Sequence, residues 1–244
     1  MSFSGLAVQA SPSRFSSSSA TTFRFRAELA PRLQNAGGEP NQLAALGAVC
    51  SFSRNETVFD EGDEVTAFYK IASGVVRLCR VSEDGRRQIA GFRLPGDFIG
   101  VDWASQYELT AEAVREVTAI RFARSRVEKL TSDDPTVREH ILAHIRRDLR
   151  SAHEHLLTLG CQSAAERVAL FLLQLANRAG IGDGGTLDMQ LGRQDIADYL
   201  GLTLETVSRT FSEFQNRGLI ALPKRRHVTL CNLAKLRLQT LRAN

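Results

Sequence analysis

The spacing of apolar and polar positions changes twice along the chain, and each change marks a different kind of element. Between about Leu46 and Leu130 the runs are short, β-rich and punctuated by glycine. Phe68 to Ile71, Val75 to Val81, Gln88 to Phe92 and Val117 to Phe122 read as strands, with turns at Glu61-Gly62-Asp63, Ser73-Gly74, Asp84-Gly85 and Pro95-Gly96-Asp97. Several strands at regular spacing predict a small antiparallel barrel or jelly roll. From Pro135 to Gly160 the period becomes helical, with apolar or small residues at Val137, Ile141, Ile145, Leu149, Ala152, Leu156 and Leu159 and Gly160 as the C-cap. The last steps, of four, three, four and three residues, approximate a coiled-coil seam, while Arg138, Glu139, Arg146, Arg147, Asp148 and Arg150 charge much of the remaining surface. A helix this long with so narrow a stripe is expected to pair with its copy in a second chain; burial against its own core is the alternative.

A second apolar helix, ERVALFLLQLANRA, follows from Ala164 and ends at the flexible GIGDGG. Beyond it, GRQDIADYLGLTLETVSRTFSEFQNRG reads as helix, tight turn, helix: Ile196, Ala197 and Leu200 line one face, Gly201 supplies the turn and Thr203 the N-cap. On the second helix Glu205, Ser208, Arg209 and Ser212 fall within roughly 100° of arc, opposite Leu204, Val207, Phe211 and Phe214. An acceptor, a hydroxyl and a guanidinium near the N-terminus of a helix suit the major groove: arginine donates to guanine, glutamate accepts from cytosine, and serine reaches a base or phosphate. A solvated face with an i,i+4 pair between Glu205 and Arg209 would present the same side chains. The following residues favour the first reading. Leu219 to Leu222 and Val228 to Cys231 form two strands around Pro223-Lys224-Arg225-Arg226-His227, a basic tip suited to phosphates, so a winged helix-turn-helix is expected.

Charge placement agrees with this. Residues 190 to 244 hold nine Lys/Arg against four Asp/Glu, a balance of +5, whereas the preceding residues balance to −1. From Gly218 to Asn244 there are six basic residues and no acid. Such concentration points to a polyanionic partner, although a solvated basic face would carry the same charges. At 244 residues the chain is long enough to bury ordinary cores in one or two units. No apolar run approaches the roughly 20 residues that span a bilayer. Four scattered cysteines, Cys50, Cys79, Cys161 and Cys231, support neither a disulfide framework nor a zinc ribbon and suit a reducing cytoplasm. Residues 1 to about 40, rich in Ser, Ala and Gly, read as a disordered arm.

These motifs resemble the cyclic-AMP receptor protein/FNR superfamily of bacterial transcription regulators, most closely its FixK-like and FNR-like members. The resemblance covers about residues 46 to 240. It rests on G-R-R-Q-I and L-P-G-D-F-I-G in the barrel, A-E-R-V-A-L-F-L at the domain entrance, and R-Q-D-I-A-D-Y-L-G-L-T-L-E-T-V-S-R in the reading head. It implies that Glu205, Ser208 and Arg209 contact base edges. Arg193, Gln194 and Thr203 would contact the DNA backbone, as would Lys224, Arg225 and Arg226 of the wing. Leu204 and Ser208 depart from the cyclic-AMP receptor protein and give the E-x-x-S-R form of FNR-like readers, which implies a TTGAT-like palindrome in place of a TGTGA-type site. A homodimer held by Ile141, Ile145, Leu149, Ala152, Leu156 and Leu159 would bind double-stranded DNA and contact RNA polymerase, mainly as an activator. The arm carries Arg14, Arg24 and Arg26 and no acid up to Ala27, as organelle presequences do, but the bacterial resemblance favours the cytoplasm.

The sensor half departs from the family's ligand-binding members. FNR-type oxygen sensing needs a cluster of N-terminal cysteines plus one in the barrel, whereas this chain has none before Cys50 and has Ile120 or a neighbour at the barrel position. Cyclic-nucleotide binding in the family uses an acid after F-I-G and an Arg-Ser pair; here the stretches read Val101-Asp102-Trp103 and Leu109-Thr110, without the main counter-charge for a phosphate. The expectation is therefore a FixK-like regulator with no cofactor, controlled by its abundance; a ligand-gated regulator is the alternative. His140 and His144, spaced i,i+4, lack a third ligand, so no metal site is expected. Cys161 at the hinge and Cys231 near the wing are the candidates for oxidation, Cys231 the stronger, although inert small apolar residues are the favoured reading of both. A cupin-like enzyme would need barrel histidines, and residues 46 to 130 contain none. The expected architecture is α+β, with no enzyme activity. It consists of an arm (1–45), a cyclic-nucleotide-binding-like antiparallel β-roll (46–130), a dimerisation helix (131–160) and a winged helix-turn-helix (161–244).

Overall fold

A computed structural model describes residue 43 and residues 45–101, 104–161, 163–224 and 226–241. Two four-stranded antiparallel sheets form the roll. One has the order β1 (Ala48–Phe52), β8 (Val117–Ala123), β3 (Ala67–Ser73), β6 (Phe98–Ile99); the other runs β2 (Thr57–Phe59), β7 (Thr110–Ala113), β4 (Val76–Val81), β5 (Arg87–Arg93). The four strands read from the sequence are present, and the glycines of all four expected turns have positive φ. At Gly74 (φ +85°) the residue type is obligatory, because a Cβ would sit 2.4 Å from the Glu116 carbonyl oxygen. Phe68, Ile71, Ile99 and Phe122 fill the space between the sheets. The expected arm lies outside the described residues except at its end, where Leu43 is buried in the roll's core; the roll therefore begins before residue 46.

A helix missing from the sequence reading, α1 (Arg124–Asp133), leaves β8 and packs on the next, so residue 130 is not a boundary in the backbone. Asp134 separates the two by accepting the Thr136 N–H at 2.8 Å, and Pro135 opens α2 (Pro135–Leu159). Gly160 caps α2 with right-handed geometry (φ −72°), so its place there does not depend on glycine's conformational freedom. Ser163 and Glu166 form a capping box at the start of α3 (Ala164–Ala179).

The head comprises α3, β9 (Thr186–Asp188), α4 (Arg193–Leu200), α5 (Leu204–Asn216), β10 (Ile220–Lys224), β11 (His227–Leu230) and α6 (Leu233–Leu238). The expected two-strand wing is an antiparallel sheet of order β10-β11-β9; Pro223 sits in the edge strand, where its missing N–H costs no ladder bond. The head core of Val168, Phe171, Leu172, Ile196, Leu200, Val207, Phe211 and Phe214 is continuous with Val75, Cys79, Ile89 and Phe92 on the roll. Among the described residues, no helix is long and apolar enough to cross a membrane.

Candidate DNA-binding surface

Gly201 joins α4 to α5 in the left-handed region (φ +62°), and the Leu202 N–H closes the turn onto the Ala197 carbonyl at 3.0 Å. Arg167 reaches the same corner. Its Nη1 donates to the Leu200 carbonyl, while Nε and Nη2 donate to that of Cys161, tying the turn to the hinge. Thr203 Oγ1 accepts the Thr206 N–H at 3.1 Å, so Thr203 is the N-cap of α5 and its side chain already has a partner.

Val207, Phe211 and Phe214 are buried, which turns Glu205, Ser208 and Arg209 together into solvent on one face of α5. Ser212 lies on the same face and donates to the Ser208 carbonyl. Leu204, assigned to the inner face by periodicity, is instead 39% exposed: it is the first residue of the helix and projects beyond the packed stripe. No ion pair joins Glu205 and Arg209 among the described residues, so neither group is consumed by the other.

The backbone candidates are in less uniform settings. The guanidinium carbon of Arg193 lies 3.4 Å from the ring centroid of Phe211, and burial pulls its pKa down to about 10, which still leaves it charged at neutral pH. Gln194 is exposed at the N-terminus of α4 and donates to Asp198 Oδ1 at 2.6 Å. In the wing, Lys224 pairs with His227 across the tip; Lys224 is exposed and Arg226 half-buried. Arg225 lies outside the described residues.

On α2 the expected seam divides. Ile141 is only 4% exposed and packs with Val137 into the roll's own core, and Ile145 lies against its edge. Leu142, Leu149 and Leu156, spaced by seven, are 38%, 56% and 64% exposed. With Ile145, Ala152 and Leu159 three residues after each, they form the outward stripe. Ile141 is thus replaced in this stripe by Leu142, the adjacent residue that sequence spacing passed over.

Cys50 and Cys79 are buried, and burial pushes their thiols up to about 12 and 11. Cys161 is partly exposed, and burial followed by the Glu166 carboxylate also raises its pKa, which opposes thiolate formation there. Cys231 is exposed. His140 and His144 meet edge to face at 4.9 Å, and no metal-holding group of three or more His, Cys, Asp or Glu occurs among the described residues.

Residues 49–134 match the cyclic nucleotide-binding domain model, and residues 166–238 match the Crp-like helix-turn-helix domain model. The nitrogen fixation regulation protein FixK of Bradyrhizobium diazoefficiens is 42% identical over 186 residues, covering 75% of this chain and 78% of that protein. The chain belongs to the Crp/FNR family. A second FixK, from Azorhizobium caulinodans, is also 42% identical, over 198 residues and 80% of each chain. The solved structure of FixK2 from Bradyrhizobium japonicum superposes with a TM-score of 0.75 at 35% identity, covering 79% of this chain and 96% of that one. This Crp/FNR protein is a FixK/FNR-type transcription regulator with an α+β fold and a helix-turn-helix DNA-binding domain; its relatives are named as regulators, not enzymes.

The family's nucleotide site fits this chain poorly. Val101 is buried and apolar, Leu109 carries no charge, and the Thr110 hydroxyl accepts the Glu61 N–H at 3.1 Å. These positions supply no cation for a cyclic phosphate. Asp102 and Trp103 lie outside the described residues.

Proposed function

We propose that the protein acts in the cytoplasm as a homodimeric activator that binds a near-palindromic TTGAT-type operator without a small-molecule effector or an iron–sulfur cluster. The observation that carries this reading is the outward triplet Glu205, Ser208 and Arg209 on a helix whose opposite face is locked by Val207, Phe211 and Phe214. Arg209 and Glu205 read base edges, and Ser208 reaches a base or phosphate. Arg193, Gln194 and the N-cap region at Thr203 approach the backbone, with Lys224, Arg225 and Arg226 of the wing gripping phosphates alongside. Dimerisation runs along the Leu142, Ile145, Leu149, Ala152, Leu156 and Leu159 stripe, setting two heads about 34 Å apart on successive major grooves. Bound there, the dimer contacts RNA polymerase. Four scattered cysteines, two of them buried, do not supply the thiolate set that a cluster requires.

A ligand-gated reading is favoured by one feature, a cleft of about 820 Å³ bounded by β5, α2, α3 and α6. Arg93, Arg147, Arg150, Arg178 and Arg237 line it against Asp148 and Glu154, a balance suited to an anionic metabolite. The deciding experiment is a gel shift of purified, effector-free protein on duplexes carrying TTGAT-type and TGTGA-type palindromes. Tight binding to the first alone supports the proposal. Binding to neither until a cell-extract metabolite fraction is added supports gating.

A further inference from the structure

The head does not hang from the roll by a tether. Strand β5 is an edge of its sheet, and α4 packs against it, with Val75, Cys79, Ile89 and Phe92 of the roll joining the apolar core of the head. Tyr199 of α4 is the apolar anchor: its ring stacks on His155 of α2 (3.9 Å, 12°) and meets Phe92 of β5 at 5.2 Å. Around this anchor runs a charged network. Arg77 of β4 donates from Nε to Glu112 (2.7 Å), from Nη1 to Asp195 Oδ1 (3.1 Å) and from Nη2 to Asn55 (3.3 Å). Arg87 of β5 donates from Nη2 to the same Asp195 oxygen (3.0 Å) and from Nε to Asp198 Oδ2 (2.8 Å).

The other carboxylate oxygens face into the reading head. Asp195 Oδ2 accepts the Gly192 N–H that begins α4, and Asp198 Oδ1 accepts from Gln194. The side chains that hold α4 to the roll are therefore bonded directly to its N-terminal turn, which carries the proposed DNA-backbone contacts. Arg77, Asp195 and Asp198 are largely shielded from water, so bulk salt screens these pairs weakly. Meanwhile Glu205, Ser208 and Arg209 stay exposed, so docking leaves the reading face open.

We propose that Arg87 and Asp198, set around the Tyr199 anchor, are positioning residues that fix the head to the β4–β5 face and thereby set the half-site spacing read by the dimer. The proposal rests on the DNA-binding reading above. In this arrangement the pose of the head is a property of the effector-free chain, with the two arginines of the roll supplying the orientation that a bound ligand would otherwise impose.

The test uses the full-length variants R87E, D198R and R87E/D198R, with thermal melts to confirm folding. In DNA-free protein, amide hydrogen exchange in β5 and α4 should accelerate about tenfold in each single variant, equivalent to about 1.4 kcal/mol, and return towards wild type in the charge-swapped pair. On operators whose half-sites are moved closer or farther by a base pair or two, wild type should prefer one spacing. R87E should lose most of that preference, and the double variant should regain it. A purely stabilising contact would lower the melting temperature and leave the spacing preference intact, which would overturn the positioning role. Exchange in R87E equal to wild type, or a double variant no better than either single one, would also overturn it. If wild type binds no operator at all while the charge-dependent protection persists, the DNA reading fails and the docking role of the pair stands.

Discussion

The two faces of α2 can be separated by mutation. In one chain Leu149 and Leu156 are 56% and 64% exposed, so alanine there removes surface that lies mostly in water and opens no cavity. Complete burial of a leucine side chain is worth about 1.5–3 kcal/mol, so the exposed fraction leaves about 0.8–1.9 kcal/mol for each to gain on pairing. In a symmetric dimer L149A/L156A removes four such side chains, about 3–7 kcal/mol together, which weakens association by about two to five decades. Ile141 is 4% exposed within the roll, so I141A should cost about 2–5 kcal/mol of fold stability and leave the dimer constant nearly unchanged. Sedimentation velocity over a concentration series reads association, and thermal melting of the same samples reads stability. If L149A/L156A sediments as wild type, or if I141A dissociates while L149A/L156A does not, the assignment of faces is wrong.

Arg209→Ala should cost about 1–3 kcal/mol on the operator and relax preference at one base pair, read by competition with single-base variants; equal weakening on random DNA would count against base reading. Neutralising Lys224, Arg225 and Arg226 to Gln should weaken binding to all duplexes and flatten the dependence of log affinity on log salt, and an unchanged slope would remove the wing from the interface. His144 is buried edge-on to Phe98 at 4.6 Å, and burial, followed by Arg147, lowers its pKa to about 4. Between pH 6.5 and about 4 the unfolded chain therefore binds the extra proton, so the contribution of His144 is complete above pH 6.5 and is lost as pH falls through that window. H144L should flatten this acid limb in urea titrations; an identical limb would mean that other groups govern it.

Legibility in the sequence followed the range of the forces involved. The glycine turns at 62, 74, 85 and 96 and the helix-turn-helix around Gly201 are local, set by backbone sterics and capping, and they stand where the residues indicated. Short strands such as β6 and β9 exist through pairing with β3 and β11 and carry too few residues for a period of their own. The choice between Ile141 and Leu142 was not available from spacing, because both are apolar and only the docked roll determines which one faces inward. The outward triplet was legible because helical geometry alone separates it from Val207, Phe211 and Phe214. The Arg77–Asp195 contact joins residues 118 positions apart, and no periodic signal spans such a distance.

Because α2 presents one face to its own roll and an adjacent face outward, the count of residues along it is constrained on two sides at once. Inserting a single residue between Ile141 and Leu149 would rotate everything downstream by about 100° and advance it by about 1.5 Å. The rod would then offer Asp148, Ser151, His155 and Thr158 where it now offers Leu149, Ala152, Leu156 and Leu159. Length changes in this rod should be tolerated chiefly in whole sevens, whereas surface loops elsewhere are free to grow or shrink one residue at a time.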